Sequence, residues 1–438
     1  MTFEDLRLNQ PLLAAVRTAG YETPTPIQAK VIPLILDGQE VLACAQTGTG
    51  KTAAFALPIL QRLGDHDTSP KRNGDRRPRV RNIRTLVLAP TRELAQQIAD
   101  SFSTYGRNCA LKHTVVYGGV NKGPQIRALR AGVDILVATP GRLLDHIADG
   151  VISLDAVEML VLDEADRMLD MGFLPDIRRI LKKVPKKRQS LLFSATMPPP
   201  IRQLANDMLT NPVSVEVARV SAPAETVEHW AHRVEKPNKP SLLCHLLEHT
   251  AYSRVLVFTR TKHGADKVVR HLTRARIAAA AIHGNKSQNA RTRALADFRS
   301  GKTAVLVATD IAARGLDVED VSHVINFDLT ADPETYVHRI GRTGRAGATG
   351  TAISFVSGED HGSLRDIERL THLQLQPAAD PPGYSPQKVT VVQNNGSPRH
   401  APRRNGDADR NRYRYARNRS TPRGRGPRKP ARSPSGRR

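Results

Sequence analysis

The sequence predicts an α/β protein of two tandem, doubly wound parallel-sheet lobes, followed by a disordered basic C-terminal tail. Three observations carry this expectation. Over the first 380 residues, short β-branched and aliphatic runs alternate with amphipathic stretches, the rhythm of βαβ units. The rhythm breaks near residues 212–235, where Pro212, Pro223 and mixed polar residues intervene, and then restarts. After Val392 aliphatic residues almost vanish, and Pro, Gly, Asn, Ser and Arg dominate. A length of 438 residues suits two or three domains, at roughly 150 residues each. The expected boundaries are 1–215, 216–372 and 373–438.

In the first lobe, strands are expected at 40–44, 85–89, 112–117, 135–138, 159–162 and 190–193. In the second they are expected at 254–259, 277–282, 303–308, 323–327 and 350–356. Residues 64–82 lack a period and carry Lys71, Arg72, Arg76, Arg77, Arg79 and Arg81, so they read as a basic surface loop inserted in the first lobe.

The chain has 66 Lys+Arg against 42 Asp+Glu, a net charge of +24. Residues 381–438 hold 16 cations and only two acids, Asp407 and Asp409; this +14 leaves +10 for the rest. Such a tail cannot bury enough apolar surface to offset the entropy of ordering. The three cysteines, Cys44, Cys109 and Cys244, are far apart and odd in number, which excludes a disulfide framework or a Cys-based zinc site and suits a reducing compartment. Residues 1–8 include Glu4 and Asp5 and no apolar core, so no secretory signal is expected. No apolar run approaches membrane-spanning length. The expectation is a cytoplasmic protein with anionic partners and no membrane association.

The apolar run Val41-Leu-Ala-Cys44 leads into Ala45-Gln-Thr-Gly-Thr-Gly-Lys-Thr52 and then a predicted helix over 53–63. This strand–loop–helix context is what a phosphate-binding loop requires. Gly48 and Gly50 let backbone N–H groups turn inward, and the helix N-terminus adds its positive dipole end. Lys51 would reach the β- and γ-phosphates of a nucleotide, and the Thr52 hydroxyl would bind Mg²⁺. Ala45 stands where the general pattern has its first glycine.

Such a loop needs an acid at the end of another strand. Met159-Leu-Val-Leu162 runs into Asp163-Glu-Ala-Asp166, so Asp163 can hold the metal and Glu164 can polarise the attacking water. Late in the second lobe, Tyr336-Val-His338-Arg339-Ile-Gly341-Arg342-Thr343-Gly344-Arg345 places two arginines three apart. Arg342 and Arg345 suit an arginine-finger role that completes the nucleotide site when the lobes close, with His338 in the same catalytic cluster.

These strings, in this order, resemble the DEAD-box family of ATP-dependent RNA helicases over residues 3–370. The resemblance implies two RecA-like lobes, ATP and Mg²⁺ as cofactors, and RNA-stimulated ATP hydrolysis coupled to lobe closure, local duplex unwinding and remodelling of RNA or ribonucleoprotein. Ala45 is the residue this family normally carries. Gly20-Tyr-Glu-Thr-Pro-Thr-Pro-Ile-Gln28 matches the family's adenine-recognition motif, with Phe3 upstream, implying that Phe3, Tyr21 and Gln28 meet the base. It also implies that Ala45, Gln46, Thr47, Gly48, Thr49, Gly50, Lys51 and Thr52 cradle the phosphates, and that Asp317 contacts the ribose. The residues themselves show only a helix start there, with Thr25 as N-cap and Pro26 in the first turn.

Further strings match in turn. Pro90-Thr-Arg-Glu-Leu94, Gly118-Gly119 and Thr139-Pro-Gly-Arg142 look like first-lobe RNA-contact motifs, implying roles for Pro90, Thr91, Arg92, Gly119, Thr139 and Arg142. Val257-Phe-Thr259, His283-Gly284 and Ala308 to Asp317 match in the second lobe, implying RNA contacts from Arg260, Gly284, Gln288, Arg291 and Thr309. Ser194-Ala-Thr196 resembles the element that couples hydrolysis to unwinding. Asp166 in the tetrad's last position favours the DEAD group over DExH relatives, and the compact core with a simple tail looks most like bacterial RhlE-type members.

The expected partner is RNA read without sequence preference, single-stranded or as a short duplex, within a ribonucleoprotein or RNA-decay complex, with roles in ribosome biogenesis or RNA degradation. The chain is expected to act as a monomer. Tyr413 and Tyr415 among Arg412, Arg414 and Arg417, with Arg423-Gly-Arg-Gly426, suit a nonspecific RNA tether. A general polyanion-binding or solubilising tail fits the same composition. A DNA translocase and an ATP-gated RNA clamp are the competing functions at this stage.

Overall fold

A computed structural model describes residues 1–45, 48–65, 81–217, 227–313, 321–344 and 349–386. Among them the strands of the first lobe are β1 (Val41–Cys44), β2 (Thr85–Leu88), β3 (His113–Val116), β4 (Ile135–Ala138), β5 (Met159–Leu162), β6 (Gln189–Ser194) and β7 (Val213–Glu216). Those of the second are β8 (Val227–Arg233), β9 (Val255–Phe258), β10 (Ala279–Ile282), β11 (Val305–Ala308), β12 (His323–Asn326), β13 (Gly350–Val356) and β14 (Gln376–Pro377). They form two seven-stranded sheets ordered β3-β4-β2-β5-β6-β1-β7 and β10-β11-β9-β12-β13-β8-β14. Every strand pair is parallel. Renumbered from β8, the second order repeats the first, so the two lobes share one topology.

Central strands such as Thr85-Leu-Val-Leu88 and Met159-Leu-Val-Leu162 are buried along their whole length. That is why they read as continuous apolar runs: a parallel sheet is covered by helices on both faces. Alternation then divides each strand between two cores. Val87 joins Val41, Phe55 and Phe193 on one face of the first sheet, while Leu86 and Leu88 join Leu136, Leu160 and Leu192 on the other. The helix Lys51–Asp65 that follows the phosphate loop lies deep in the first of these cores, with Phe55 5.3 Å from Phe193 between ring centroids. In the second lobe Val255 and Val257 face one core, and Leu256 and Phe258 the other.

All eleven expected strands are present, and the structure adds β7, β8 and β14. The joint expected over 212–235 is therefore much shorter. β7 closes the edge of the first sheet beside β1, and β8 enters the second beside β13. β8 escapes a propensity reading because histidines rather than β-branched residues take buried positions on both of its faces, His229 against Tyr336 on one and His232 against Phe355 on the other. Burial pushes both imidazoles below their usual range.

The segment from 373 expected to lack structure is corrected over its first residues. Leu375 is buried, β14 pairs with β8, and Tyr384 packs 5.7 Å from His245 on the helix Lys239–His249. A proline in a two-residue edge strand has no sequence signature. The tail from 387, most of the basic insert (66–80), and 218–226 within the joint lie outside the described residues. Among the described residues no helix is long and apolar enough to cross a membrane.

Candidate active site

The C-terminal ends of parallel strands are where an open α/β sheet binds ligands. Here that edge of the first sheet carries Ala45 after β1, Pro90 and Thr91 after β2, Thr139 after β4, Asp163 after β5 and Ser194 at the end of β6. In the phosphate loop, Gly48 and Gly50 have φ of 83° and 88°, a backbone region that side chains resist. A Cβ at Gly50 would also collide with the Gln28 amide. Lys51 is buried at the first position of its helix, and its Nζ donates to Ala45 O at 2.8 Å. Thr49 and Thr52 are half-buried beside it, while Gln46 and Thr47 lie outside the described residues.

Gln28 is buried, and its amide joins two elements. Its Oε1 accepts from Thr25 N at 2.9 Å in the capping box, and its Nε2 donates to Gly50 O at 3.2 Å. The helix start at Pro26 is thereby tied to the phosphate loop. Phe3 and Tyr21, with Gly20, Leu13, Val16 and Arg17, line a cavity of about 330 Å³; Phe3 is buried in its wall and Tyr21 is exposed.

Asp163 follows β5 and is buried. Loss of hydration pushes its carboxyl up to about 7; Lys51 draws it down, and Glu164 raises it. Its Oδ1 has no hydrogen-bond partner among the described residues. An orphaned carboxylate oxygen and a threonine hydroxyl are hard donors of the kind Mg²⁺ takes, so the residues present fit such an ion. Glu164 is held at φ 55°, ψ 53°, a left-handed conformation costing of order 1–3 kcal/mol for a non-glycine residue. It is also locked by a buried ion pair, Oε2 to Arg167 NH1 at 2.7 Å.

Asp166 connects this acid cluster to the neighbouring strand. Its Oδ2 accepts from Ala195 N at 3.1 Å, Thr196 N at 3.0 Å and Thr196 Oγ1 at 3.2 Å. Ser194 Oγ accepts from Asp166 N and donates to Thr196 O. The turn containing Ser194 and Thr196 is thus tied to Asp166 by four hydrogen bonds, with a fifth inside the turn itself.

The opposite wall comes from the second lobe. Arg342 is buried, with Nε donating to His338 O at 3.3 Å, and Arg167, His338, Arg339 and Arg342 line one small void across the seam. Arg339 makes a bidentate pair with Asp310, 2.6 and 2.8 Å, reaches Asn326 Oδ1 and Asp328 O, and lies 5.0 Å over the Phe258 ring. Arg345 and Asp317 lie outside the described residues.

The expected RNA-contact residues fall into two groups. Thr91 and Thr139 cap helices, Pro90 is buried, Gly119 takes φ 76°, and a Cβ there would strike the Arg92 guanidinium. Arg142 donates to Val120 O and Gln125 Oε1. Gly284 is exposed, Thr309 starts a helical turn, and Arg260 NH2 donates to Leu329 O near Asp360. By contrast, Arg92, Gln288 and Arg291 meet one another's lobe. Arg92 NH1 donates to Gln288 Oε1 at 3.1 Å, Gln288 Nε2 to Glu93 Oε1 at 3.0 Å, and Arg291 NH2 pairs with Glu93 Oε2 at 3.0 Å.

Sequence reading assigned no role to Glu93, Arg167, Arg339 or Asp310. All four sit inside the quoted motifs or beside them; their partners lie on distant segments or across the lobe seam, where spacing carries no signal, except for the local Glu164–Arg167 pair.

Residues 25–204 match the DEAD/DEAH box helicase family model, and residues 238–347 match that of the helicase conserved C-terminal domain. The DEAD-box ATP-dependent RNA helicase CshA of Bacillus subtilis is 43% identical over 395 residues, covering 89% of this chain and 77% of the relative. The ATP-dependent RNA helicase CshA of Listeria monocytogenes is 44% identical over 379 residues, 86% of this chain and 70% of the relative. These names support the family without the RhlE-type subdivision. Among solved structures, S. cerevisiae Dbp5 bound to RNA and ADP BeF3 superposes with a TM-score of 0.75 at 31% identity, covering 86% of this chain and 95% of that one. The chain belongs to the DEAD-box family of ATP-dependent RNA helicases.

Proposed function

We propose that this helicase hydrolyses ATP at a site completed by both lobes, and that closing the lobes on RNA opens short duplexes without regard to sequence. The observation that carries the reading is the seam. Arg167 of the first lobe, itself paired with Glu164, faces His338, Arg339 and Arg342 of the second around one void, while Glu93 is bound by Gln288 and Arg291.

In this reading Phe3, Tyr21 and Gln28 hold the base, and Gly48 to Thr52 hold the phosphates with Lys51 as their cation. Thr52 and Asp163 would hold Mg²⁺, which supplies charge neutralisation at the phosphates. Glu164 orients the attacking water and accepts its proton. Arg342, with Arg345, stabilises the charge that builds on the transferred phosphoryl group. Because Gln28 touches both the helix start and Gly50, occupancy of the base pocket bears directly on the phosphate loop. Through Asp166, a change at the acids reaches Ser194 and Thr196. Thr91, Arg92, Gly119, Thr139 and Arg142 in the first lobe, and Arg260, Gly284, Gln288, Arg291 and Thr309 in the second, track the RNA backbone. Backbone contacts carry little base information.

The basic tail suits a tether that keeps RNA near the core, within a ribonucleoprotein or RNA-decay assembly. Deleting residues 387–438 is expected to weaken RNA binding and flatten its salt dependence while sparing core hydrolysis; an unchanged salt slope would reject the tether. Matched single-stranded RNA and DNA test the choice of nucleic acid. Hydrolysis stimulated by RNA and not by DNA is expected, and equal stimulation would favour a general translocase.

A further inference from the structure

We propose that the first lobe carries a second RNA-binding surface, on the edge of its sheet opposite the nucleotide site, which holds RNA flanking the segment in the cleft. The surface comprises Arg178, Arg179, Lys182, Lys183, Lys186 and Lys187. This goes beyond the reading of the active site and rests on RNA being the substrate.

Residues 174–188 contain seven cations and one carboxylate, Asp176. Their net +6 is more than half of the +10 borne by residues 1–380, so the core's charge is concentrated rather than spread. The fold explains how it is displayed. The helix Leu174–Leu181 buries Ile177 and Ile180, and the following turn buries Val184. At 100° per residue, Arg178, Arg179, Lys182 and Lys183 then sweep the opposite arc, and all four are exposed. Lys186 and Lys187 continue the exposed face up to Arg188, the residue before β6.

Neutralisation of this face is slight. Arg178 has only a 3.8 Å approach to Asp207, and Arg179 pairs with Asp176 on the surface; exposed pairs of this kind contribute little. Among the described residues, no carboxylate lies within ion-pair distance of Lys182, Lys183, Lys186 or Lys187. Uncompensated like charges held together oppose folding unless a counter-charge arrives. A phosphate backbone is such a partner: flexible ammonium groups bind it as point charges, without sequence preference. β6 runs from this edge to Ser194 at the active-site edge, about 17 Å at the rise of a strand. A strand of RNA emerging from the cleft spans that distance, whereas a short oligonucleotide confined to the cleft does not.

The test is the full-length enzyme with Lys182→Gln, Lys183→Gln, Lys186→Gln and Lys187→Gln together, compared with the parent on two RNAs, one of about 10 nucleotides, the scale of a single binding site, and one of about 40. Expected are a thermal midpoint unchanged or raised, unchanged ATPase stimulation by the short RNA, and about tenfold weaker binding of the long RNA. The slope of log affinity against log salt should fall by about 3 for the long RNA. Unchanged affinity and slope on the long RNA would overturn the proposal and leave a solvated face or a site for an acidic protein. An equal loss on both RNAs would also overturn it, because the cations would then act on the cleft. Failure of the parent to respond to either RNA would instead defeat the RNA reading on which the proposal stands.

Discussion

Glu164→Gln is expected to lower RNA-stimulated ATP turnover about 10²–10⁴-fold, the range for removing a positioned general base, while ATP and RNA still bind. The substitution isolates basicity from structure. Glu164 sits in a left-handed conformation and accepts from Arg167 in a buried pair, so truncation to Ala would strand a buried guanidinium and unsettle the turn. Gln keeps an oxygen toward Arg167 and loses only the charge, at a stability cost of about 1–3 kcal/mol for a weakened charge-assisted bond. Single-turnover hydrolysis and a thermal melt separate the two effects. Parent-like turnover in a folded variant would remove Glu164 from the chemistry.

Arg342→Ala is the second large effect. Its guanidinium is buried beside His338 on the second lobe and lines the void that Arg167 of the first lobe also lines. A cation at a developing phosphoryl charge is worth about 10³–10⁵ in kcat, and a contact confined to the transition state leaves ground-state ATP binding nearly untouched. The expected signature is a loss of kcat of at least about 10³-fold with nucleotide affinity within a few-fold of the parent, measured by ATP titration of the hydrolysis rate and by equilibrium nucleotide binding. A matching loss of affinity would assign Arg342 to ground-state binding instead.

How much was legible follows from the kind of constraint each residue answers. Met159-Leu-Val-Leu162 and Val305-Leu-Val-Ala308 announce buried parallel strands because both faces need apolar groups. The phosphate loop announces itself because glycine, lysine and threonine are required at fixed offsets from a strand. β8 was hidden because His229 and His232 occupy buried positions that propensity does not give to histidine. Without β8 the restart in the second lobe could be heard, but its repeat of the first lobe's strand order could not. β14 was hidden because a proline-bearing edge pair depends on β8 being there to receive it.

The site divides in the same way. Lys51, Asp163 and Glu164 were readable from local context. Arg92, Gln288 and Arg291 were placed as RNA contacts by resemblance, but their engagement with each other and with Glu93 is a property of two lobes meeting. Arg339 lies within a motif whose spacing gives it no role; its ties to Asp310, Asn326, Asp328 and Phe258 join three separate stretches of the chain. The charge of the 174–188 segment is plain in the sequence, yet only the fold shows that Ile177, Ile180 and Val184 turn inward and leave every lysine outside.

The central claim is that ATP drives cycles of lobe closure that open an RNA duplex. The direct measurement is release of a strand from a short RNA duplex by the full-length enzyme, with ATP and with a non-hydrolysable analogue at equal saturation. The account predicts strand opening with both, because closure performs the bending, and repeated turnover only with ATP, because hydrolysis reopens the cleft. No strand release with ATP, under conditions where RNA still stimulates hydrolysis, would contradict it and leave an ATP-gated clamp.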